Sequence, residues 1–187
     1  MNQPPLEYKE PEEKKHANSL VVLNTGDGRG KSSSAWGIMI RALGRGWRVG
    51  VVQYMKSGKW KVGEETIGVQ LGVDWWHIGA GFSWESSDLS KDEAIAKEAW
   101  EHSKAMIEGG AYDLVILDEI TYPINWNWIS CHEVVETIEN RPRHVNVVLT
   151  GRDASSELID VADTVSRIEN VKHAFQSGIM AKRGIDF

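Results

Sequence analysis

Only one cysteine, Cys131, occurs among the 187 residues. A disulfide framework is therefore excluded, and so is a cysteine-rich metal site. Cys131 reads as a packing or surface residue, because a reactive thiol needs local activation. Basic charge is also scarce: 21 Lys and Arg face 27 Asp and Glu, a net charge of −6. A general nucleic-acid binder carries a basic face, since phosphate neutralisation dominates its affinity, so no nucleic-acid partner is expected. A small anion held by a local cluster of donors remains compatible with an acidic whole. No apolar run approaches the roughly 20 residues of a membrane span. The first residues lack the apolar stretch of a signal peptide. These absences lead to the expectation of a cytoplasmic protein without a membrane partner. No Ser-His-Asp or Cys-His constellation stands out.

The length fits one domain with a sizeable core, and 41% hydrophobic with 26% charged residues is an ordinary globular balance. Residues 1–18 are polar, with Pro4, Pro5 and Pro11 among Glu and Lys. They read as a flexible N-terminal arm, partly helical near Glu12–Ala17, and residues 19–187 as the folded domain. Nine tryptophans are many for this length, and most are expected in the core or at an interface. Trp75 and Trp76 are adjacent in an expected strand and so point to opposite faces; one of them is expected to be exposed or to meet a partner.

From Ser19 onward strands and helices alternate. Strands are expected at Ser19–Leu23, Arg48–Tyr54, Val73–Ile78, Leu114–Leu117, Val145–Thr150 and Thr164–Ile168. Helices are expected at Lys31–Leu43, from a capping-spaced Ser90 and Glu93 to Glu108, at Ser130–Glu139 and at Ser155–Ala162. Gly44, Gly46 and Gly109-Gly110 are stops. The run Leu114–Leu117 is apolar throughout, as in a strand buried on both faces. This order implies an α/β, three-layer, P-loop NTPase-like fold with a mostly parallel central sheet. Ligands in such sheets bind beyond the carboxyl ends of the strands.

One of those ends carries Thr25-Gly26-Asp27-Gly28-Arg29-Gly30-Lys31-Ser32, followed by Ser33. It follows a strand and opens a helix, the context that marks a phosphate loop. Glycines let successive N–H groups turn inward as an anion nest, and the helix N-terminus adds partial positive charge. Lys31 supplies a full charge, and the Ser32 hydroxyl can ligate magnesium or manganese. The strict pattern G-x-x-x-x-G-K-[ST] is not met, because Thr25 occupies its first glycine position. A second end, Leu114-Val115-Ile116-Leu117-Asp118-Glu119, places two carboxylates at the ligand edge. Glu119 and Ser32 are the candidate inner metal ligands, with Asp118 in support or as a structural hydrogen-bond acceptor. Arg152 follows another strand end and is a candidate phosphate contact; a surface salt bridge is the alternative.

The chain resembles the P-loop ATP:corrinoid adenosyltransferases from about Val21 to Phe187. The resemblance rests on the phosphate loop, Arg41-Ala42, Val49–Tyr54, Gly81-Phe82-Ser83-Trp84, Leu117-Asp118-Glu119, Thr121-Tyr122, Glu139–Pro142, Thr150-Gly151-Arg152, Ala162–Val165, and the stretches Val171–Phe175 and Gly184–Phe187. It implies a reaction in which Co(I) of a corrinoid, cob(I)alamin or a cobyrinic acid derivative, attacks C5′ of ATP and displaces triphosphate. It also implies that Lys31 is catalytic, that Thr25–Ser33, Arg41 and Arg152 bind ATP, and that Phe82 and Trp84 fill the lower corrin face. There the two rings exclude the axial ligand that opposes reduction to Co(I); on the residues alone they read first as anchors of the loop in the core. A homodimer and an electron-donor protein such as a flavoprotein are further implications. The sequence departs from the family where asparagine is frequent and Asp27 stands, at Arg29 and Ser32 in place of lysine and threonine, and in the stretch Val62–Glu65. Two other readings keep the same loop: a P-loop phosphotransferase or ATPase cleaving at phosphorus, and a non-catalytic nucleotide-dependent binding module.

Overall fold

The computed structural model describes residues 13–55, 62–78 and 89–186. Six parallel strands form its sheet: β1 (Val21–Thr25), β2 (Val49–Gln53), β3 (Asp74–His77), β4 (Leu114–Asp118), β5 (Asn146–Thr150) and β6 (Thr164–Arg167). Their spatial order is β3-β2-β4-β5-β1-β6, with every pairing parallel. Helices α1 (Lys31–Leu43), α2 (Gly63–Gln70), α3 (Leu89–Glu108), α4 (Thr121–Asn125), α5 (Cys131–Glu139) and α6 (Ser156–Val161) link them.

Strand alternation divides the core into two halves. Leu114 and Ile116 join Ala35, Trp36 and Met39 of α1 on one face. Val115 and Leu117 join Trp100 and Ile107 of α3, Val134 and Ile138 of α5, and Leu158 of α6 on the other. Helices thus cover both faces of a buried parallel sheet, the expected three-layer arrangement.

Local signals explain most of the helix bounds. Buried Ala35, Trp36, Met39 and Ala42 form one stripe of α1, and the Gly44 N–H bonds back to Ile40. Ser130 accepts the Glu133 N–H to cap α5, and Ser155 accepts the Leu158 N–H to cap α6, the usual serine N-cap geometry.

The structure corrects several expectations. Residues 14–17 carry no helix. Ser90 lies inside α3 instead of capping it, and Glu93 pairs with Lys97 one turn later. The first strand starts two residues later than expected and continues to Thr25, because Asn24 and Thr25 pair with Ser166 and Arg167 of β6. Trp75 and Trp76 do take opposite faces, but both are half-buried within the chain. Trp75 packs on Trp36 at 4.9 Å between ring centroids, and Trp76 on His102 at 4.6 Å. Cys131 is a half-buried thiol beside the Ser155 hydroxyl, and burial pushes its pKa up. Among the described residues, no helix is long and apolar enough to cross a membrane.

Candidate active site

The carboxyl ends of β1, β4 and β5 meet around the glycine-rich turn. β1 delivers it, and the Asn24 side-chain amide donates to the Lys31 carbonyl at 3.3 Å, bracing the strand end against the start of α1. Gly26 has φ 97° and Gly30 φ 121°, conformations that side chains with a Cβ rarely adopt. The chain after β6 packs directly on the turn: the Gly28 N–H donates to the Ile168 carbonyl at 2.7 Å. A Cβ on Gly28 would lie 2.5 Å from the Glu169 carbonyl oxygen. Gly26 is required both by its dihedral angle and by shape, since a Cβ there would lie 2.5 Å from the Ile168 carbonyl oxygen, whereas Gly28 is required by shape and Gly30 by its dihedral angle.

Lys31 is half-buried, and its ammonium donates to the Gly28 carbonyl at 2.7 Å. Burial lowers its pKa most, and the Arg152 guanidinium lowers it further; Glu119, Asp27 and Asp118 oppose this. These five charged groups define one electrostatic neighbourhood. Arg152 lies 3.8 Å from Asp27, so the exposed carboxylate of the loop sits beside a cation supplied by the β5 end. Ser32 is half-buried in the first turn of α1, and Ser33 is exposed. The Thr25 hydroxyl accepts the Ala154 N–H at 3.3 Å.

At the end of β4, Asp118 is fully buried. Its Oδ2 accepts from the Gln53 amide at 2.9 Å and its Oδ1 from the Thr150 hydroxyl at 2.8 Å. The next residue, Glu119, has φ 67°, and its N–H donates to the same Thr150 hydroxyl. Tyr122 lies within reach of both Glu119 and Arg152; burial raises its pKa first, and the Glu119 charge adds to that.

Among the described residues, no group of three or more His, Cys, Asp and Glu side chains forms a self-contained metal cage. The donors at hand are the Ser32 hydroxyl and the carboxylates of Asp118 and Glu119. An all-oxygen, incomplete set fits a hard divalent ion that keeps waters and takes substrate phosphates as further ligands.

The side chains of two expected site residues have other placements. The Arg29 side chain runs to the C-terminal segment, donating to the Ile185 carbonyl and pairing with Asp186 at 3.0 Å. Arg41 is exposed in the last turn of α1, about 15 Å of helix rise from Lys31. The separation follows from the helix itself, which points its N-terminus at the loop and its C-terminus away. Phe82 and Trp84 lie outside the described residues.

Gln53, Thr150 and Tyr122 are site residues that sequence reasoning does not single out. The usable signal is a polar residue that closes an apolar run, as Gln53 closes β2 and Thr150 closes β5.

Comparison with known proteins adds an independent line. A family model described as ATP:corrinoid adenosyltransferase BtuR/CobO/CobP matches residues 17–187. The chain is 38% identical over 168 residues to the corrinoid adenosyltransferase of Escherichia coli (strain K12), covering 90% of this chain and 85% of that one. It is 39% identical over 168 residues to corrinoid adenosyltransferase CobA of Salmonella typhimurium (strain LT2), with the same coverage. The corrinoid adenosyltransferase of Pseudomonas aeruginosa is 39% identical over 170 residues, with 90% and 83% covered.

Proposed function

The chain belongs to the ATP:corrinoid adenosyltransferase family, and on that premise we propose the chemistry of its phosphate loop. It transfers the 5′-deoxyadenosyl group of ATP to the Co(I) centre of a corrinoid, in cobalamin biosynthesis or salvage. The cobalt electron pair forms the Co–C5′ bond, and the C5′–O bond breaks with its pair leaving on inorganic triphosphate. The observation that carries this reading is the gathering of Lys31, Arg152, Asp118 and Glu119 around one glycine turn in a chain that matches the family over nearly its whole length.

In this reading the triphosphate is a leaving group. Its charge grows as the bond to carbon breaks, so preorganised donors stabilise the transition state more than bound ATP. Lys31 exchanges the Gly28 carbonyl for a phosphate oxygen, and Arg152 exchanges Asp27 for another. Backbone N–H groups of Gly30 to Ser33 at the start of α1 add the helix dipole. Ser32 and Glu119 would hold a magnesium or manganese ion, with Asp118 behind them; such an ion supplies charge neutralisation on the triphosphate. Because the cobalt is itself the nucleophile, the protein needs no activated side chain.

Phe82 and Trp84 are assigned the lower corrin face, where apolar rings exclude an axial ligand and ease reduction to Co(I). An electron-donor protein such as a flavoprotein, a cytoplasmic setting and one catalytic domain over residues 19–187 complete the proposal. A homodimer is supported by the C-terminal apolar side chains Val171, Phe175 and Met180, which are 91%, 78% and 87% exposed.

The test is anaerobic incubation with ATP, magnesium and chemically reduced cobalamin. The expected result is the absorbance spectrum of an adenosylcorrinoid with one triphosphate released per turnover. Abundant ADP without triphosphate would overturn the reading in favour of cleavage at phosphorus. Bound but unconsumed ATP would overturn it in favour of a binding module.

A further inference from the structure

Gln53, Asp118 and Thr150 close three neighbouring strands, β2, β4 and β5, and at most 1% of each is exposed. Phosphate binding accounts for none of the hydrogen bonds that join them. The chain of bonds begins on β3, where the Trp75 indole N–H donates to Gln53 Oε1 at 3.1 Å. Gln53 Nε2 donates to Asp118 Oδ2. The Thr150 hydroxyl donates to Asp118 Oδ1 and accepts the Glu119 N–H at 2.9 Å.

The direction of every bond is determined. An indole N–H can only donate, so it takes the carbonyl side of the Gln53 amide and turns the NH2 toward Asp118. Reversing the amide would set donor against donor at Trp75 and acceptor against acceptor at Asp118. The single Thr150 proton goes to the carboxylate, which leaves the hydroxyl oxygen to accept from the backbone. The last link therefore falls on the N–H of Glu119, a non-glycine residue with φ 67°, a disfavoured backbone that persists only where its surroundings hold it. The Glu119 carboxylate projects from that turn into the neighbourhood of Lys31.

We propose that Thr150 is a positioning residue for adenosyl transfer. Its hydroxyl, anchored on Asp118, holds the left-handed turn at Glu119 and so aims the Glu119 carboxylate at the metal–triphosphate. Gln53 and Trp75 fix the anchor from the opposite side. This rests on the reading that Glu119 meets the metal-bound nucleotide.

Three variants test it: Thr150→Val, which keeps the shape and removes the hydroxyl, Thr150→Ser, which restores it, and Gln53→Leu, which removes the other donor to Asp118. Enzyme affinity for Mn2+–ATP is read by manganese EPR with no corrinoid present, beside turnover and thermal melting. Thr150→Val is expected to lose about 10- to 100-fold in Mn2+–ATP affinity and kcat, the usual range for residues that orient metal ligands. Its KM for the corrinoid stays near wild type. Thr150→Ser recovers most of the loss at a similar melting temperature, and Gln53→Leu shows a smaller loss of the same kind. Wild-type Mn2+–ATP affinity in Thr150→Val overturns the proposal, as does a Thr150→Ser as impaired as the valine variant. If Thr150→Val does not fold, unchanged affinity in Gln53→Leu overturns the relay. The parent reading fails separately, if the wild-type enzyme yields ADP instead of triphosphate.

Discussion

Lys31 sits under opposed influences. Burial and Arg152 destabilise its charge, while Glu119, Asp27 and Asp118 stabilise it. Its present acceptor is the Gly28 carbonyl, a neutral oxygen of its own loop. A phosphate oxygen is a stronger partner, since bonds between charged groups are about twice as strong as neutral ones. Replacement by alanine removes the one full positive charge the loop itself aims at the leaving group. Lys31→Ala is expected to lower kcat roughly 100-fold or more, the scale of losing one charge-stabilising donor. The KM for the corrinoid should change little, because that substrate does not meet the loop. Steady-state kinetics with preformed Co(I) check this, and near-normal turnover would remove the loop from the mechanism. Arg29 shows the limit of residue-level reading. Its position inside the loop was legible, but its side chain answers to Asp186, 157 positions away in sequence, and no local pattern records that pairing.

Elements with a strong local signal could be read directly. The bounds expected for α1 match the structure, because its apolar stripe, glycine stop and loop entry agree. β4 was legible as a strand buried on both faces, and all five of its residues are buried. α2 was not anticipated. It begins at Gly63, has no buried apolar stripe, and buries Gly68 against the Trp75 ring at 3.1 Å from an ideal Cβ; tertiary contact, not periodicity, accounts for its place. Two strands run past their expected ends for a related reason: Asn24 and Asp118 are at most 2% exposed, yet hydropathy treats them as loop residues, whereas Gln53 and Thr150 fall inside the strands expected for them. Gln53, Asp118 and Thr150 are buried because their side chains join through Asp118 across strands, and strand order is what brings them together; Asn24 donates instead to the Lys31 carbonyl. Contact between elements also governs the phosphate turn. Gly28→Ala places a Cβ against backbone atoms of Glu169, which cannot swing aside like a side-chain end. It is expected to cost about 1–3 kcal/mol through overpacking and to abolish most ATP binding. Gly37→Ala, exposed in α1 with nothing near its Cβ, is the control. It is expected to be neutral or to stabilise by up to about 1 kcal/mol. Melting curves and calorimetric ATP titration of the pair check both, and equal behaviour of the two variants would show that the β6 contact does not shape the loop.

At the scale of the whole molecule, the two ends of the sheet face differently. β2, β4, β5 and β1 are enclosed by helices, whereas every residue of β6 is exposed. Beyond β6 the chain carries Val171, Phe175, Ile179, Met180 and Ile185 with more than half of each side accessible. Apolar side chains concentrated in one segment mark an interaction surface. The segment is tied to the active site at two points, through Ile168 against Gly28 and through Asp186 against Arg29. A second copy of the chain that covered it would therefore also brace the phosphate loop. The proposed homodimer makes this measurable. Phe175→Glu with Met180→Glu puts charge on side chains that are 78% and 87% exposed in their own subunit, so folding should be preserved. Sedimentation is expected to show a dimer for the wild type and a monomer for the double variant. The variant's ATP affinity should fall as well, because the strap on Arg29 loses its support. A wild type that sediments as a monomer would leave the exposed segment without the partner proposed for it. A double variant that stays dimeric would move the interface elsewhere on the surface, away from the segment that touches the loop.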